Sequence, residues 1–304
     1  MIDIAIMIEG QNGLTWPRWQ NVARAVEDLG FAGLYRSDHF TNMEPPDKDS
    51  LELWVSLTWL ASHTKRIEFG PLVSPVSFRH PALTARMAAA VDDLSGGRLT
   101  LGLGAGWQER EHRLFGFDLL PLDERFERFE EGLEVVSRLL RSDVPADYAG
   151  HYYQLREATL LPRPSRPGGP PILIGGNGQK RTLPLAAKYA AEWNAVYLPL
   201  EAWQHLNARL DGLLEAGGRK PGSVRRSLMT GLRFSSTQKA LDGSLAARKQ
   251  TAEELRGRGI VVGAGEEVKV QLAELEQAGL QRVMLQWMDL DDLDGLAALA
   301  KAVL

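Results

Sequence analysis

The regular alternation of β-like runs and amphipathic helices constrains the fold of this chain more than any other feature. Eight short apolar runs are each followed by residues at helical spacing. Eight strand–helix units are typical of a (β/α)₈ TIM barrel, and a doubly wound open sheet is the alternative. The number of units, and the absence of Gly-x-Gly-x-x-Gly after the first strand, favour the barrel. The predicted strands are Ile2–Ile8, Phe31–Ser37, Arg66–Ser74, Arg98–Gly104, Pro171–Gly175, Asn194–Leu198, Arg226–Leu232 and Gln281–Trp287.

The chain is predicted to form one domain over residues 1–304, with two segments beyond a minimal barrel. Phe40–Ser50 is a polar loop after the second strand. Arg233–Gly265 is a polar, partly helical insertion between the seventh and eighth strands. Each segment is interpreted either as a lid over the barrel mouth or as surface decoration. No internal repeat or interdomain linker is visible.

Composition limits the possible partners and chemistry. The net charge of −4 gives no electrostatic basis for binding nucleic acid or an anionic membrane. The absence of cysteine excludes disulfides, thiolate metal sites and a cysteine nucleophile, and no His-rich or Asp-rich metal motif is present. No apolar run approaches a membrane span, and the N-terminus lacks the basic region of a secretory leader. These features predict a cytoplasmic enzyme without a metal.

Active sites of such barrels form at the carboxyl ends of the strands, so the residues after each strand are the candidates. Polar and aromatic side chains recur there, and each could instead be an ordinary cap, core or surface residue. His112, a short way into the following helix, is equally consistent with a core histidine. The other candidates are Glu9, Asp38, His39, Gly104, Ala105, Gly106, Trp107, Glu109, Tyr197 and Trp287.

The turn Gly175-Gly176-Asn177-Gly178 is a second kind of candidate. It ends a strand and precedes a predicted helix, Gln179–Ala191, so it presents free N–H groups and the positive end of a helix dipole. Such a turn favours an anion, and Arg181 could add a charge. A plain glycine turn and an exposed arginine are the alternatives.

Four segments carry a family resemblance over essentially the whole chain. They are GFAGLYRSDHF (residues 30–40), FRHPALTARMAAAVDDLSGGRLTLGLGAGWQEREHRLFG (78–116), PPILIGGNGQKRTLPLAAKYAAEWN (170–194) and GLQRVMLQW (279–287). Together they resemble the bacterial luciferase-like oxidoreductases, especially the members that use the deazaflavin coenzyme F420. The resemblance implies a luciferase-like barrel, an F420 or FMN cofactor and, commonly, a homodimer.

The resemblance also implies residue roles. The cofactor ring would lie over the ends of strands two to four, beside a cis peptide at Leu72–Val73, and its phosphate would meet the Gly175–Gly178 turn. His39, in Ser-Asp-His-Phe with Asp38, would lie beside the ring and transfer a proton or orient the substrate. Sugar-phosphate dehydrogenases of this family carry a catalytic glutamate where Trp107 stands. Its absence argues against that substrate, and Glu109 is a candidate replacement.

The leading functional prediction is hydride transfer between reduced F420 and a small organic substrate, through His39 and a pocket with Trp107 and Trp287. The alternative in the same fold is an FMN-dependent monooxygenase that reacts reduced flavin with oxygen and needs a separate reductase. A cofactor-free hydrolase using Glu9, Asp38 or Glu109, and a barrel that only binds, are two further alternatives.

Overall fold

The computed structural model describes residues 2–304. Its strands are β1 Asp3–Ile8, β2 Gly33–Arg36, β3 Glu68–Pro71, β4 Ser74–Pro75, β5 Leu101–Gly104, β6 Ala146–Ala149, β7 Gln154–Ala158, β8 Ile172–Gly175, β9 Glu192–Val196, β10 Arg225–Ser235, β11 Val261–Ala264 and β12 Arg282–Gln286. Its helices are α1 Trp16–Leu29, α2 Leu53–His63, α3 Pro81–Ser95, α4 Glu109–Phe115, α5 Leu122–Arg141, α6 Thr182–Tyr189, α7 Leu200–Ala216, α8 Gln238–Ala247, α9 Ala252–Gly257, α10 Glu266–Gln277 and α11 Leu293–Val303, with a 3₁₀ turn at Pro221–Ser223.

The local signals in the sequence account for the principal helices. Gly30 ends α1 in the left-handed conformation, with φ of 98°, which glycine adopts without steric cost. Pro81 occupies the first position of α3, where its missing N–H has no partner to lose. In α5 the apolar residues at helical spacing face inwards, and Phe129, Leu133 and Leu140 are buried.

The parallel strands curl into a nearly closed barrel, which confirms the predicted fold class. Their order is β3-β2-β1-β12-β10-β9-β8-β5-β4. The two ends meet where β3 lies beside the residues just before β5. Phe69 forms a parallel bridge with Leu99, and Thr100 donates its N–H to the Phe69 carbonyl at 2.8 Å. A small apolar cluster fills the barrel around Met7, Tyr35 and Met284. A larger one packs the helices against its outer surface.

The third predicted strand is interrupted by a cis peptide bond between Leu72 and Val73, at the position that the family resemblance implies. The chain passes there from its pairing with β2 to its pairing with β5. Glycines make room for this crossing. A Cβ on Gly102 would lie 2.0 Å from the Pro71 carbonyl oxygen, and one on Gly104 would lie 2.6 Å from Val73 Cγ2. The glycines of the fourth predicted strand therefore allow two chain segments to approach each other closely.

Other differences from the predicted elements arise in the segments between strands. Within Arg233–Gly265, α8 and α9 are followed by β11, which pairs in parallel with the end of β10. The hairpin of β6 and β7 was not predicted, because its strands are short and half exposed. The helix predicted over Gln179–Ala191 is shorter and begins only at Thr182. No helix within residues 2–304 is long and apolar enough to span a bilayer.

Candidate active site

A cavity of about 440 Å³ opens at the carboxyl ends of the barrel strands. Ten of the residues singled out from the sequence line it: Glu9, His39, Leu72, Val73, Gly106, Trp107, His112, Gly175, Gly176 and Tyr197. The rest of the lining is Met7, Ser37, Pro75, Glu111, Asn194, Val196, Met229 and Gln286. The ten predicted residues come from six different strand ends, as a barrel site requires, and Met229 and Gln286 add β10 and β12.

A histidine–carboxylate pair is the chemical centre of the cavity. His39 Nδ1 lies 2.8 Å from Glu111 Oε1, and the other carboxylate oxygen accepts the Phe40 N–H at 2.9 Å. Because a carboxylate only accepts, Nδ1 carries the proton and Nε2 is left without a partner among residues 2–304. Burial by itself lowers the pKa of His39, but the hydrogen bond and charge of Glu111, with weaker effects of Glu9 and Asp38, raise it above its ordinary value. The pair can therefore hold or release a proton at Nε2.

Sequence reasoning proposed Glu109 and missed Glu111. Both lie in the first turn of α4, two residues apart, so they point to nearly opposite sides of the helix. Glu111 is 1% exposed and faces the barrel, whereas Glu109 is exposed and lines an outer groove. Helical spacing from the buried His112 favours Glu109, three residues before it, so the sequence carries no signal for Glu111.

His112 and Trp107 flank the pair. His112 Nδ1 lies 2.7 Å from the Gln108 carbonyl oxygen and so donates to it, which leaves Nε2 to accept from the Ser77 hydroxyl at 2.7 Å. Both nitrogens are therefore occupied. The Trp107 ring meets the His39 ring edge-on at a centroid distance of 5.5 Å and is 54% exposed. It stands at the mouth, between the histidine and solvent.

Asp38 lies next to His39 in the chain but does not line the cavity. Its buried carboxylate accepts the Ser74 hydroxyl at 2.7 Å and pairs with Arg79 Nη1 at 2.5 Å. Arg79 in turn bonds Glu52 at 2.7 Å. Asp38 thus ties the end of β2 to β4 and to the start of α3, which is a positioning contact for the loop that carries His39.

The opposite wall is a chain of hydrogen bonds. Tyr197 donates its hydroxyl to Gln286, and Gln286 donates to Glu9 Oε1 at 2.7 Å. Gln11 donates to Glu9 Oε2 at 3.0 Å and accepts the Ser37 hydroxyl at 2.8 Å. Burial raises the pKa of Tyr197, so its hydroxyl remains protonated. This wall holds its polar groups in fixed positions.

The glycine turn forms a third side. Gly175 and Gly176 line the cavity, and Gly176 has φ of 122°, a conformation that side chains rarely adopt. The Asn177 side chain is engaged with Val196 in both directions, donating to its carbonyl at 2.7 Å and accepting its N–H at 2.9 Å. Gly178 is exposed, and its carbonyl accepts the Leu183 N–H near the start of α6.

Several other residues predicted from the sequence lie away from the cavity. Arg181 pairs with Asp123 and packs over the Phe126 ring, because the turn before α6 directs it towards α5. Trp287 is buried and lines a separate pocket of about 200 Å³, which shares Gln286 with the cavity. Gly104 and Ala105, at and just after the end of β5, are not among the lining residues. The predicted roles of these residues in binding stay predictions.

This fold and site define a class of protein. A nearly closed parallel barrel with a histidine–carboxylate pair in a cavity at its strand ends has the layout of a (β/α)₈-barrel enzyme. The model of the luciferase-like monooxygenase family matches residues 4–242. The chain belongs to the luciferase-like monooxygenase family, and it is an oxidoreductase.

Named relatives fall into two groups. The chain is 26% identical to 4-hydroxyprotoasukamycin monooxygenase of Streptomyces nodosus subsp. asukaensis, over 93% of this chain and 84% of that one. It is 31% identical to the F420-dependent glucose-6-phosphate dehydrogenase of Kineococcus radiotolerans, over 69% and 61%. It is also 31% identical to the F420-dependent hydroxymycolic acid dehydrogenase of Mycobacterium tuberculosis, over 66% and 55%. Among four F420-dependent dehydrogenases, including these two, the match spans 46% to 61% of the relative's own length.

Solved structures show the same fold. An F420-dependent secondary alcohol dehydrogenase, determined with an F420–acetone adduct, superposes with a TM-score of 0.87 over 99% of this chain and 98% of that one, at 17% identity. The monooxygenase RslO1 from Streptomyces bottropensis superposes with a TM-score of 0.82 over 99% and 97%, at 21% identity. Enzymes of both groups therefore share this barrel.

Proposed function

We propose that the protein transfers a hydride between reduced coenzyme F420 and a small organic carbonyl or alcohol, with His39 moving the accompanying proton. The observation that carries this proposal is the His39–Glu111 pair. His39 lines the cavity, and its Nε2 has no partner among the described residues. Three of the relatives at 31% identity bear names of F420-dependent dehydrogenases, and this supports F420 as the cofactor.

The cavity fits a flat cofactor ring. Leu72 and Val73 supply an apolar wall, and Gly106, Gly175 and Gly176 line the cavity without side chains. On Gly106 a Cβ would meet Ser77 Oγ at 3.1 Å and Pro75 at 3.4 Å, so a larger residue would crowd this side. These residues would hold the ring, and the Gly175–Gly178 turn would receive the phosphate.

When bound, reduced F420 supplies a hydride, and the residues of the chain handle the proton. His39 Nε2 would donate its proton to a substrate carbonyl oxygen as the C–H bond forms, and would accept it in the reverse direction. Glu111 holds Nδ1 protonated and fixes the ring orientation. Trp107 would limit the access of water to this atom.

An FMN-dependent monooxygenase is the second candidate. It is favoured by the monooxygenase of Streptomyces nodosus, whose similarity covers 93% of this chain. The same walls would hold the flavin, and a separate reductase would have to supply it in reduced form. The two candidates differ in whether oxygen is consumed.

The test is turnover of reduced F420 with a panel of aldehydes and ketones, measured with and without oxygen. The proposal predicts anaerobic oxidation of the deazaflavin and formation of the alcohol, both dependent on the protein. A matched control is His39→Gln, which keeps a polar side chain but cannot cycle a proton. Turnover that occurs only with reduced FMN, with one oxygen consumed per product, would replace the proposal by the second candidate.

A further inference from the structure

The cavity has an excess of negative charge. Its lining includes two carboxylates, Glu9 and Glu111, and none of the lysines and arginines within residues 2–304. His112 has both ring nitrogens in hydrogen bonds, one to the Gln108 carbonyl and one with the Ser77 hydroxyl. Protonation of His39 would cancel one of the two carboxylate charges. Apart from His112, the lining is therefore negative in either state of His39.

Glu9 contributes most of the uncompensated negative charge of the cavity lining. Glu111 is offset by its hydrogen bond to His39, but Glu9 has no ion-pair partner within 4 Å among the described residues. Its two oxygens accept one hydrogen bond each, from the neutral amides of Gln286 and Gln11. Amide donors fix the position of the carboxylate without neutralising it.

The nearby cations form no ion pair with Glu9, and Arg36, which attracts it through space, offsets its charge only in part. Arg36 is buried beneath Gly10 and donates to Ser37 O, Ser56 Oγ and Leu51 O. Arg79 is paired with both Asp38 and Glu52. A substrate carboxylate or phosphate placed beside Glu9 would therefore meet its charge in a partly dehydrated part of the cavity, where charge repulsion exceeds its value in water.

We infer that Glu9 is a specificity-determining residue that restricts the substrate of this cavity to neutral or cationic compounds. This inference rests on the proposed function. The substrate would be a neutral alcohol or carbonyl compound, or one that carries a protonated amine towards Glu9. The apolar lining by Met7, Val196 and Met229 suits a hydrocarbon body between the Glu9 wall and His39. Compounds with a carboxylate or phosphate beside the reacting carbon are excluded.

The test uses three probes of the same shape and different charge: benzamidine, benzamide and benzoate. Their dissociation constants are measured at about pH 8 by tryptophan fluorescence on the protein without cofactor, where the first is a cation and the last an anion. In the wild type, benzamide and benzamidine are expected to bind at least about tenfold more tightly than benzoate. In Glu9→Gln the benzamide-to-benzoate ratio falls to about threefold or less.

Two further variants complete the design. Glu215→Gln removes the same charge from the exposed end of α7 and should leave the wild-type ratio unchanged. Glu9→Met, which lacks both charge and hydrogen bonds, should reproduce the Glu9→Gln ratio if the loss of charge is the cause. Equal binding of benzamide and benzoate in the wild type, an unchanged ratio in Glu9→Gln, or no binding of benzamide would each overturn the inference. None of these measurements needs F420 or FMN, so they stand apart from the test of the proposed function.

Discussion

Replacing Glu111 by glutamine isolates the contribution of its charge and its two acceptors. The carboxylate receives the His39 Nδ1–H at 2.8 Å and the Phe40 N–H at 2.9 Å. Glutamine has nearly the same shape but only one acceptor oxygen, so its NH₂ group faces an unfavourable donor whenever His39 Nδ1 is protonated. The substitution therefore keeps the packing, removes the charge and, while Nδ1 is protonated, leaves one buried donor without a partner.

The expected cost follows from burial. Glu111 is 1% exposed, so solvent does not screen the lost interaction. A hydrogen bond to a charged group contributes about 1.5–3 kcal/mol, and an unsatisfied buried donor costs about 1–3 kcal/mol. The two contributions are not additive, because the unsatisfied donor is the one that loses the hydrogen bond. We therefore expect Glu111→Gln to lower the free energy of unfolding by about 2–3 kcal/mol.

The pH dependence has a definite sign. Glu111 raises the pKa of His39, so the stabilisation is fully present below the unfolded value of about 6.5 and is lost as pH rises through the folded pKa. The destabilisation by Glu111→Gln should thus be larger at about pH 6 than at about pH 9. At high pH most of the cost should disappear, because the neutral ring can accept from the glutamine NH₂ at Nδ1 while the amide oxygen accepts the Phe40 N–H.

The assay is urea unfolding of both proteins across this pH range, together with NMR titration of the His39 ring. The pKa of His39 should fall in Glu111→Gln, since burial continues to disfavour the charged ring. A difference in unfolding free energy that does not change with pH, or an unshifted His39 titration, would refute the assignment of Glu111 as its partner.

Three further substitutions test other parts of the structure. His39→Ala should lower turnover by about 10²–10⁴-fold while cofactor affinity changes little, as steady-state kinetics and titration would show; equal losses would make it a binding residue. Gly176→Asp should weaken cofactor binding well beyond Gly176→Ala, which shares its strain at φ of 122°; similar affinities of the two variants would argue against a phosphate there. Gly104→Ala places a Cβ 2.6 Å from Val73 and should cost about 1–3 kcal/mol in urea unfolding, whereas Gly243→Ala in open space on α8 should stabilise slightly; equal effects would contradict the close approach.

The barrel could be predicted from the sequence because its signals are local. Strand and helix periods alternate along the chain, and residues such as Gly30 and Pro81 mark helix ends wherever the helix finally packs. The break of the third strand at Leu72–Val73 came from family resemblance alone. Nothing in the pattern of Arg66–Ser74 distinguishes one strand from two.

The candidate site was only partly predictable, because it depends on which side a residue faces. His39 and Glu9 follow strands directly, so the barrel rule places them at the mouth. The choice between Glu109 and Glu111 requires the start of α4, and an error of two residues there reverses the facing side. Gly104 follows the same rule as a candidate, but a Cβ there would meet Val73 of another chain segment, a contact that no local pattern indicates.

The most direct test of the proposed cofactor is an equilibrium titration of the purified protein with F420 and with FMN, followed by quenching of its eight tryptophans. Trp107→Phe serves as the matched variant, because Trp107 lies at the cavity mouth and should contribute a large share of the quenching. The proposal predicts micromolar binding of F420 and binding of FMN that is at least about tenfold weaker. Tighter binding of FMN, or no binding of either, would contradict it.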